Sequence, residues 1–248
     1  MALVLSEDQQ LLRDSARHFC QDNAPISVVR RLRDEKSELG YDEAIWRQMI
    51  ELGWPGMAIA EKYGGFEFGY TGLGLVLEET GRTLASSPLI SSVLLGASLL
   101  SEAGNEEQKC KLLPQIVAGD LRLAVGVDEG PHHAPSRVAC SAVKEGTEYI
   151  LTGTKSFILD GQTADKLLVS ARTSGEPYSE GGISLFMLDA NAQGLQIQRT
   201  TMVDSRNAAN LVMDQVRVSE DSLLGVEGAG FTALDTTLDI ARIGVASE

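Results

Sequence analysis

The amino-acid sequence predicts an α+β protein: an all-helical first domain, a domain of short strands, then the start of a second helical domain. Two observations predict it. Apolar residues recur at helical spacing up to Gly119, and from Asp120 the pattern switches to period two. Near Leu224-Gly225 the helical spacing returns. Runs of one element type followed by runs of the other indicate segregated layers, not a doubly wound sheet. The expected boundaries are 1–120, 121–222 and 223–248.

The helices are argued from caps and stops. Ser6 and Gln9 have the spacing of a capping box, followed by Leu11, Leu12, Ala16 and Phe19 on one face. Asp42 caps a segment in which Ile45, Trp46, Met49 and Ile50 share a face, and Gly53 stops it. Two more apolar helices, Tyr70 to Leu84 and Leu89 to Glu102, flank Ser86-Ser87-Pro88, and Gly104 ends the second. Asn105 with Gln108 restarts a helix that carries Cys110, Leu113, Ile116 and Val117 and closes at Gly119.

In the second domain Leu121, Leu123, Val125 and Val127 alternate with Arg122, Ala124 and Gly126. Further strands are expected at 138–144, 148–151, 156–159, 166–171, 183–188, 195–198 and 211–218, with glycines such as Gly146, Gly153, Gly161 and Gly175 as turns between them. Short strands at this density suggest a barrel or a sandwich. Beyond them Phe231, Leu234, Leu238 and Ile243 have helical spacing, with no stop signal before Ser247-Glu248. The expectation is that this helix continues into a longer polypeptide or docks on something outside the chain.

Composition narrows the class. Among 248 residues, 43% hydrophobic and 23% charged exclude disorder from end to end. Lys plus Arg is 21 against 35 Asp plus Glu, and the net charge of −14 argues against a non-specific nucleic-acid binder. Cys20, Cys110 and Cys140 fit neither a disulfide framework nor a zinc pattern, so a reducing compartment is expected. The N-terminus has no basic region followed by an apolar one, and the window Leu89 to Leu100 is too short and serine-rich to span a bilayer. A cytoplasmic protein without a membrane span is expected.

Few residues carry chemistry by themselves. Gly225-x-x-Gly228-x-Gly230 has the wrong order for a dinucleotide loop and reads as a connection. His132-His133 sits in a Gly-Pro-rich turn without metal-ligand spacing around it, and no metal is expected. Cys140 lies on an expected strand, which disfavours a Cys–His nucleophile. Glu78 and Glu79 point about 100° apart on a helix, so at most one faces a cavity. Asp239 and Arg242, at i and i+3, form either a structural ion pair or one wall of a ligand pocket.

Several stretches, in order along nearly the whole chain, resemble the acyl-CoA dehydrogenase family. They are Leu52-Gly53-Trp54-Pro55-Gly56-Met57 with Tyr63-Gly64-Gly65, and Gly104-Asn105-Glu106-Glu107-Gln108-Lys109 with Leu113-Pro114 and Gly119. They continue with Gly153-x-Lys155-x-Phe157-Ile158-x-x-Gly161-x-x-Ala164-Asp165 leading to Ser170-Ala171-Arg172, then Asp214-x-Val216-x-Val218 with Leu223-Leu224-Gly225 and Gly230-Phe231. The resemblance implies a helical first domain, a β-barrel middle domain and a helical C-terminal domain largely absent from this chain. It implies FAD and the oxidation of an acyl-CoA thioester to its trans-2-enoyl product, a carboxylate taking the α-proton while the β-hydrogen leaves as hydride. It further implies an electron-transfer-flavoprotein-like acceptor and a homo- or hetero-oligomer.

By this resemblance Gly126, Val127, His133, Phe157 and Leu159 line the flavin. Glu79, Asp235, Leu238, Asp239 and Arg242 line the acyl-CoA pocket. The sequence departs from the family in places that matter. Val127 and Leu159 stand where hydroxyls are usual, and His133 replaces a serine. The position on the last helix that carries the base in some members is Ala241, which cannot take a proton. No residue of this chain is therefore assigned as catalytic. The departures imply either a dehydrogenase whose base lies beyond Glu248 or a degenerate subunit of a heteromeric enzyme, against a non-enzymatic acyl-CoA-binding protein on the same scaffold. Phe231, Leu234 and Leu238 are expected to form an unpaired apolar face that drives association.

Overall fold

The structure is a computed structural model that describes residues 4–248. Helix α1 (Glu7–Asn23) starts at its capping box: the Ser6 side chain accepts from the Gln9 amide while the Gln9 side chain accepts from the Ser6 amide. Helix α2 (Ile26–Asp34) follows Pro25, has no side-chain cap and buries no residue fully. Asp42 caps α3 (Glu43–Glu51) through the Ala44 and Ile45 amides, and Gly53 ends it at φ +77°. Helix α4 (Gly69–Thr83) is followed by a π-helical segment, Leu89–Ala97, that runs into α5 (Ser98–Ala103). The second capping box, Asn105 with Gln108, opens α6 (Glu106–Val117).

The strands are β1 (Leu123–Gly126), β2 (Ser141–Glu145), β3 (Glu148–Leu159), β4 (Lys166–Arg172), β5 (Ile183–Asp189), β6 (Leu195–Thr201), β7 (Asn207–Ser219) and β8 (Leu223–Leu224). They form one sheet in the order β6-β7-β3-β2-β4-β5-β8, with β1 parallel on β4. The link between β2 and β4 is a single parallel pair, Ser141 with Arg172. The sheet curls around its own core, so that β3 meets β5 through the Tyr149 and Phe186 rings, 4.9 Å apart. Strands β6 and β8 are its outer members; among the described residues no ladder joins them.

One expectation is corrected here. Segments 148–151 and 156–159 are a single strand, and Gly153 is not a turn. Gly153 lies at φ +145°, where a Cβ would meet Cys140 Sγ at 2.4 Å. Glycine is needed for that close approach, and the strand absorbs it with a register shift.

Strand β1 joins the layers. Leu121, Leu123, Val125 and Val127 belong to the helical core, and Ala124 to the strand core. The π-helical segment lies directly against it: Ser92 Oγ accepts from Leu123 N (3.0 Å) and donates to Leu123 O (3.1 Å). A Cβ on Gly96 would sit 2.5 Å from Leu123 Cβ, so only glycine lets helix and strand approach this closely.

Helix α7 (Phe231–Ser247) packs on α4, α5 and the π-helical segment. This overturns the expected open face. Leu234 and Leu238 lie in the helical core and Phe231 packs against the strand core, so the chain covers these residues itself. Each buried leucine contributes about 1.5–3 kcal/mol. The apolar side chains that α7 exposes are Ile243 and Val245.

Candidate functional site

The loop after β1 is pinned to β3 from below. Lys155, fully buried, donates to Val127 O (3.1 Å), Glu129 Oε1 (2.8 Å) and Ser170 Oγ (2.9 Å), which uses all three ammonium hydrogens. Glu129 also accepts from the Ala139 and Cys140 amides. Burial works against the Glu129 charge, but Lys155 and those two amides outweigh it and hold the carboxyl below the usual range. The Ser156 amide donates to Asp128 O (2.7 Å), which fixes the loop beside the segment that carries Phe157. The sequence motif contains Lys155 but gives no hint of this role, because its partner lies 26 residues away.

Above this anchor the loop folds on Asp128. One carboxylate oxygen accepts from Ala134 N (2.8 Å) and the other lies 2.9 Å from His133 Nδ1. The other ring nitrogen, Nε2, is 3.2 Å from Arg242 Nη2 on α7. Arginine can only donate, so Nε2 accepts, and Nδ1 carries the proton and donates to Asp128. Arg242 also holds Asp239 (2.5 Å), an ion pair that their spacing allows. Neighbouring His132 lines a cleft of about 250 Å³ with Glu129, Pro131 and Arg137.

Phe157 sits at φ +53° on the bulged part of β3, with its ring 56% exposed and its amide donating to Asn210 Oδ1 (3.1 Å). A bulky residue in the left-handed region is strained. Val127 is buried in the helical core and Leu159 packs against it, so both fill apolar space. Gly126 faces the strand core, where a Cβ would lie 3.1 Å from Ile158 Cδ1. The amides of Gly130, His132 and His133 have no protein acceptor among the described residues. At the end of the segment Asp160, also at positive φ, accepts from Ser91 Oγ (2.6 Å). Burial pushes its carboxyl up to about 6, against the opposing pull of Ser91, Arg206 and Arg122.

The residues expected along the substrate are divided. Asp239 and Arg242 are exposed on α7 beside His133, Asp235 is half-buried, and Leu238 is in the core. Glu79 is buried in the helical layer, where Arg17 holds both its oxygens (2.8 and 3.2 Å) and Arg82 approaches at 3.3 Å. Glu78 lies on the exposed side and pairs with Arg82, as the divergence of adjacent helical residues requires. Cys140 is buried and donates to Thr154 O (3.1 Å); burial pushes its thiol up to about 12. Ala241 is buried.

A helical layer and a curled sheet that share one strand, with an exposed strained aromatic at their junction, define the scaffold. Residues 6–120 match the model of the acyl-CoA dehydrogenase N-terminal domain and residues 128–216 that of the acyl-CoA dehydrogenase middle domain. The chain belongs to the acyl-CoA dehydrogenase family. It is 29% identical to an acyl-CoA dehydrogenase of Bacillus subtilis (strain 168), over 98% of this chain and 65% of that protein. It is likewise 29% identical to the caffeyl-CoA reductase–Etf complex subunit CarC of Acetobacterium woodii, over 99% of this chain and 65% of that one. The solved Tcur3481–Tcur3483 steroid ACAD superposes with a TM-score of 0.85 at 25% identity, over 100% of this chain and 64% of that one. The chain thus spans about two thirds of the length of these relatives.

Members of the family use FAD. The residues at the junction fit such a group in kind: an exposed aromatic ring at Phe157, apolar side chains at Val127 and Leu159, and free amide donors at Gly130, His132 and His133.

Proposed function

We propose that this chain is a component of an FAD-dependent acyl-CoA dehydrogenase that desaturates an acyl-CoA thioester, with its catalytic base supplied from outside these residues. One observation carries the reading: the 127–134 loop, the Phe157 bulge and α7 converge through Lys155, Ser156 and the His133–Arg242 contact. Phe157, Val127 and Leu159 give the isoalloxazine an apolar bed, and the loop amides give it hydrogen-bond donors. When bound, FAD supplies the two-electron acceptor. Arg242, braced by Asp239 and His133, orients the ligand on the α7 side. The α-proton of a thioester is far too weakly acidic to leave without a positioned base. Ala241 offers only a buried methyl group, so another polypeptide segment must provide it. An electron-transfer-flavoprotein-like partner would be the onward electron acceptor, and the assembly is a homo- or hetero-oligomer in the cytoplasm.

A second reading, a degenerate subunit of a heteromeric dehydrogenase, is favoured by Val127 and Leu159. Each is packed in apolar surroundings where the family usually carries a hydroxyl. A lost hydrogen bond costs about 0.5–1.5 kcal/mol net, enough to weaken a flavin site. The names of the CarC–Etf and Tcur3481–Tcur3483 relatives support a multi-component assembly. The test is co-expression with the neighbouring reading frame, with the flavin absorbance of the complex compared with that of the chain alone. Flavin in both, bleached by acyl-CoA, supports the first reading. Flavin only in the complex supports the second. Thioester binding without dye reduction in any mixture overturns both and leaves a non-enzymatic binder.

A further inference from the structure

On a chain of net charge −14, one cleft is lined by cations alone among its charged groups. It measures about 450 Å³ and lies where the end of α2 faces β6 and the start of β7, with Arg33, Lys36, Arg199 and Arg206 on its walls beside the hydroxyls of Ser37 and Ser205. Arg206 also borders the cleft beside Leu159 and Asp160; Arg33, Lys36 and Arg199 lie outside the junction described above.

Two of the four cations are already neutralised. Arg33 pairs with Asp34, and Arg206 grips Glu248 with both terminal nitrogens (3.1 and 2.5 Å). Lys36 and Arg199 have no carboxylate partner among the described residues. Arg199 instead donates to Ser37 O (2.5 Å) and so ties one wall to the other, which leaves the rest of its guanidinium fork unspent. The favourable end of a helix dipole explains a cation on α2. It does not explain Arg199 or Arg206, which come from the sheet.

The backbone adds a second observation. Lys36 at φ +52° and Ser205 at φ +66° are both non-glycine residues in the left-handed region, and they lie on opposite walls of this cleft. Each has a local cause: Lys36 is the left-handed close of α2, where the Ser37 amide donates to Leu32 O (2.9 Å), and Ser205 closes a turn with its amide on Met202 O (3.0 Å), so both walls are fixed by their own backbone. The volume falls in the range of small-molecule sites.

We propose that this cleft binds a phosphate-bearing small molecule of nucleotide size, its phosphoryl oxygens taken by Lys36 and Arg199 and its remaining polar atoms by the Ser37 and Ser205 hydroxyls. Arg206, fixed by Glu248, adds field without closing on the ligand. The two cations assigned to the ligand, Lys36 and Arg199, are not among the residues assigned to the flavin and thioester junction.

The experiment is calorimetric titration of the full chain at low ionic strength with ADP, and in parallel with inorganic pyrophosphate. The expected result is saturable ADP binding that pyrophosphate competes away. A Lys36→Gln, Arg199→Gln double variant should lose at least about tenfold in affinity. Lys144→Gln, a control at a lysine outside the cleft and already paired with Glu220, should lose none. Absence of saturable binding, or equal affinity in the double variant, overturns the proposal. Amide shift changes on adding ADP to the unmodified chain keep the question open to test even if the double variant fails to fold. Changes at 32–37 and 199–206 support the site, and changes confined to 127–134 and α7 overturn it.

Discussion

His133 Nε2 lies 3.2 Å from Arg242 Nη2, so a histidine in a strand-domain loop accepts a hydrogen bond from a helix 109 residues further along. With Asp128 at Nδ1, both ring nitrogens are spoken for, and only the neutral Nδ1–H tautomer satisfies both neighbours. Long-range proton–nitrogen correlation spectra of the neutral ring should therefore show the proton on Nδ1 and none on Nε2. His133→Ala removes this contact, so the α7 amides near 242 should shift in the variant. A ring protonated at Nε2 while neutral would contradict the assignment.

Lys155 is the anchor of the 127–134 loop. Lys155→Met leaves the Glu129 carboxylate without its cation, and a broken buried pair costs about 3–5 kcal/mol. Urea unfolding should show that loss, and a Lys155→Met, Glu129→Gln double variant should recover part of it. The Glu129 carboxyl is held below its ordinary range by Lys155 and two amides that outweigh its burial. Its contribution is therefore present above the unfolded value of about 4.3 and is lost as the pH falls below that.

Asp160 has the opposite sign. Its carboxyl is raised from 3.8 to about 6, chiefly by burial, so the folded chain binds this proton more tightly than the unfolded one. Ionising it costs stability as the pH rises between those two values, and the cost is complete above the upper one. Asp160→Asn keeps an acceptor for Ser91 and removes that cost. Chemical denaturation near pH 7.5 should show the variant more stable by roughly 3 kcal/mol, with the difference vanishing near pH 4. A variant less stable at both pH values would contradict the burial argument.

Phe157 separates stability from ligand binding. At φ +53° a glycine is relaxed where phenylalanine is strained, so Phe157→Gly should hold or raise the melting temperature. The same change removes the exposed aromatic face, and flavin retention by the purified complex should fall severalfold. Unchanged flavin content would remove Phe157 from the proposed bed.

Much of the architecture was legible in the sequence. The Ser6–Gln9 and Asn105–Gln108 capping boxes mark helix starts through local hydrogen bonds, and the alternation from Leu121 to Val127 marks β1 through two-sided burial. Helix α2 escaped although Val28, Val29 and Leu32 have helical spacing, because no capping side chain marks its start. The continuity of β3 escaped because Gly153 signals a turn locally and answers to Cys140, thirteen residues back. The candidate site was legible only in pieces. Composition and spacing could place Arg242 and His133 on a helix and in a loop, but not side by side, since nothing local couples residues so far apart. The burial of Leu234 and Leu238 likewise depends on where α7 lands, not on its own period.

Strand β1 has one face in each hydrophobic core, and Gly96 presses the π-helical segment onto it with no room for a methyl group between them. The two domains therefore own no separate floor, and neither can loosen alone. Heating should melt them in a single endotherm, and a larger side chain at position 96 should be felt some distance off, as slackness in the Phe157 bulge and the loop beneath it.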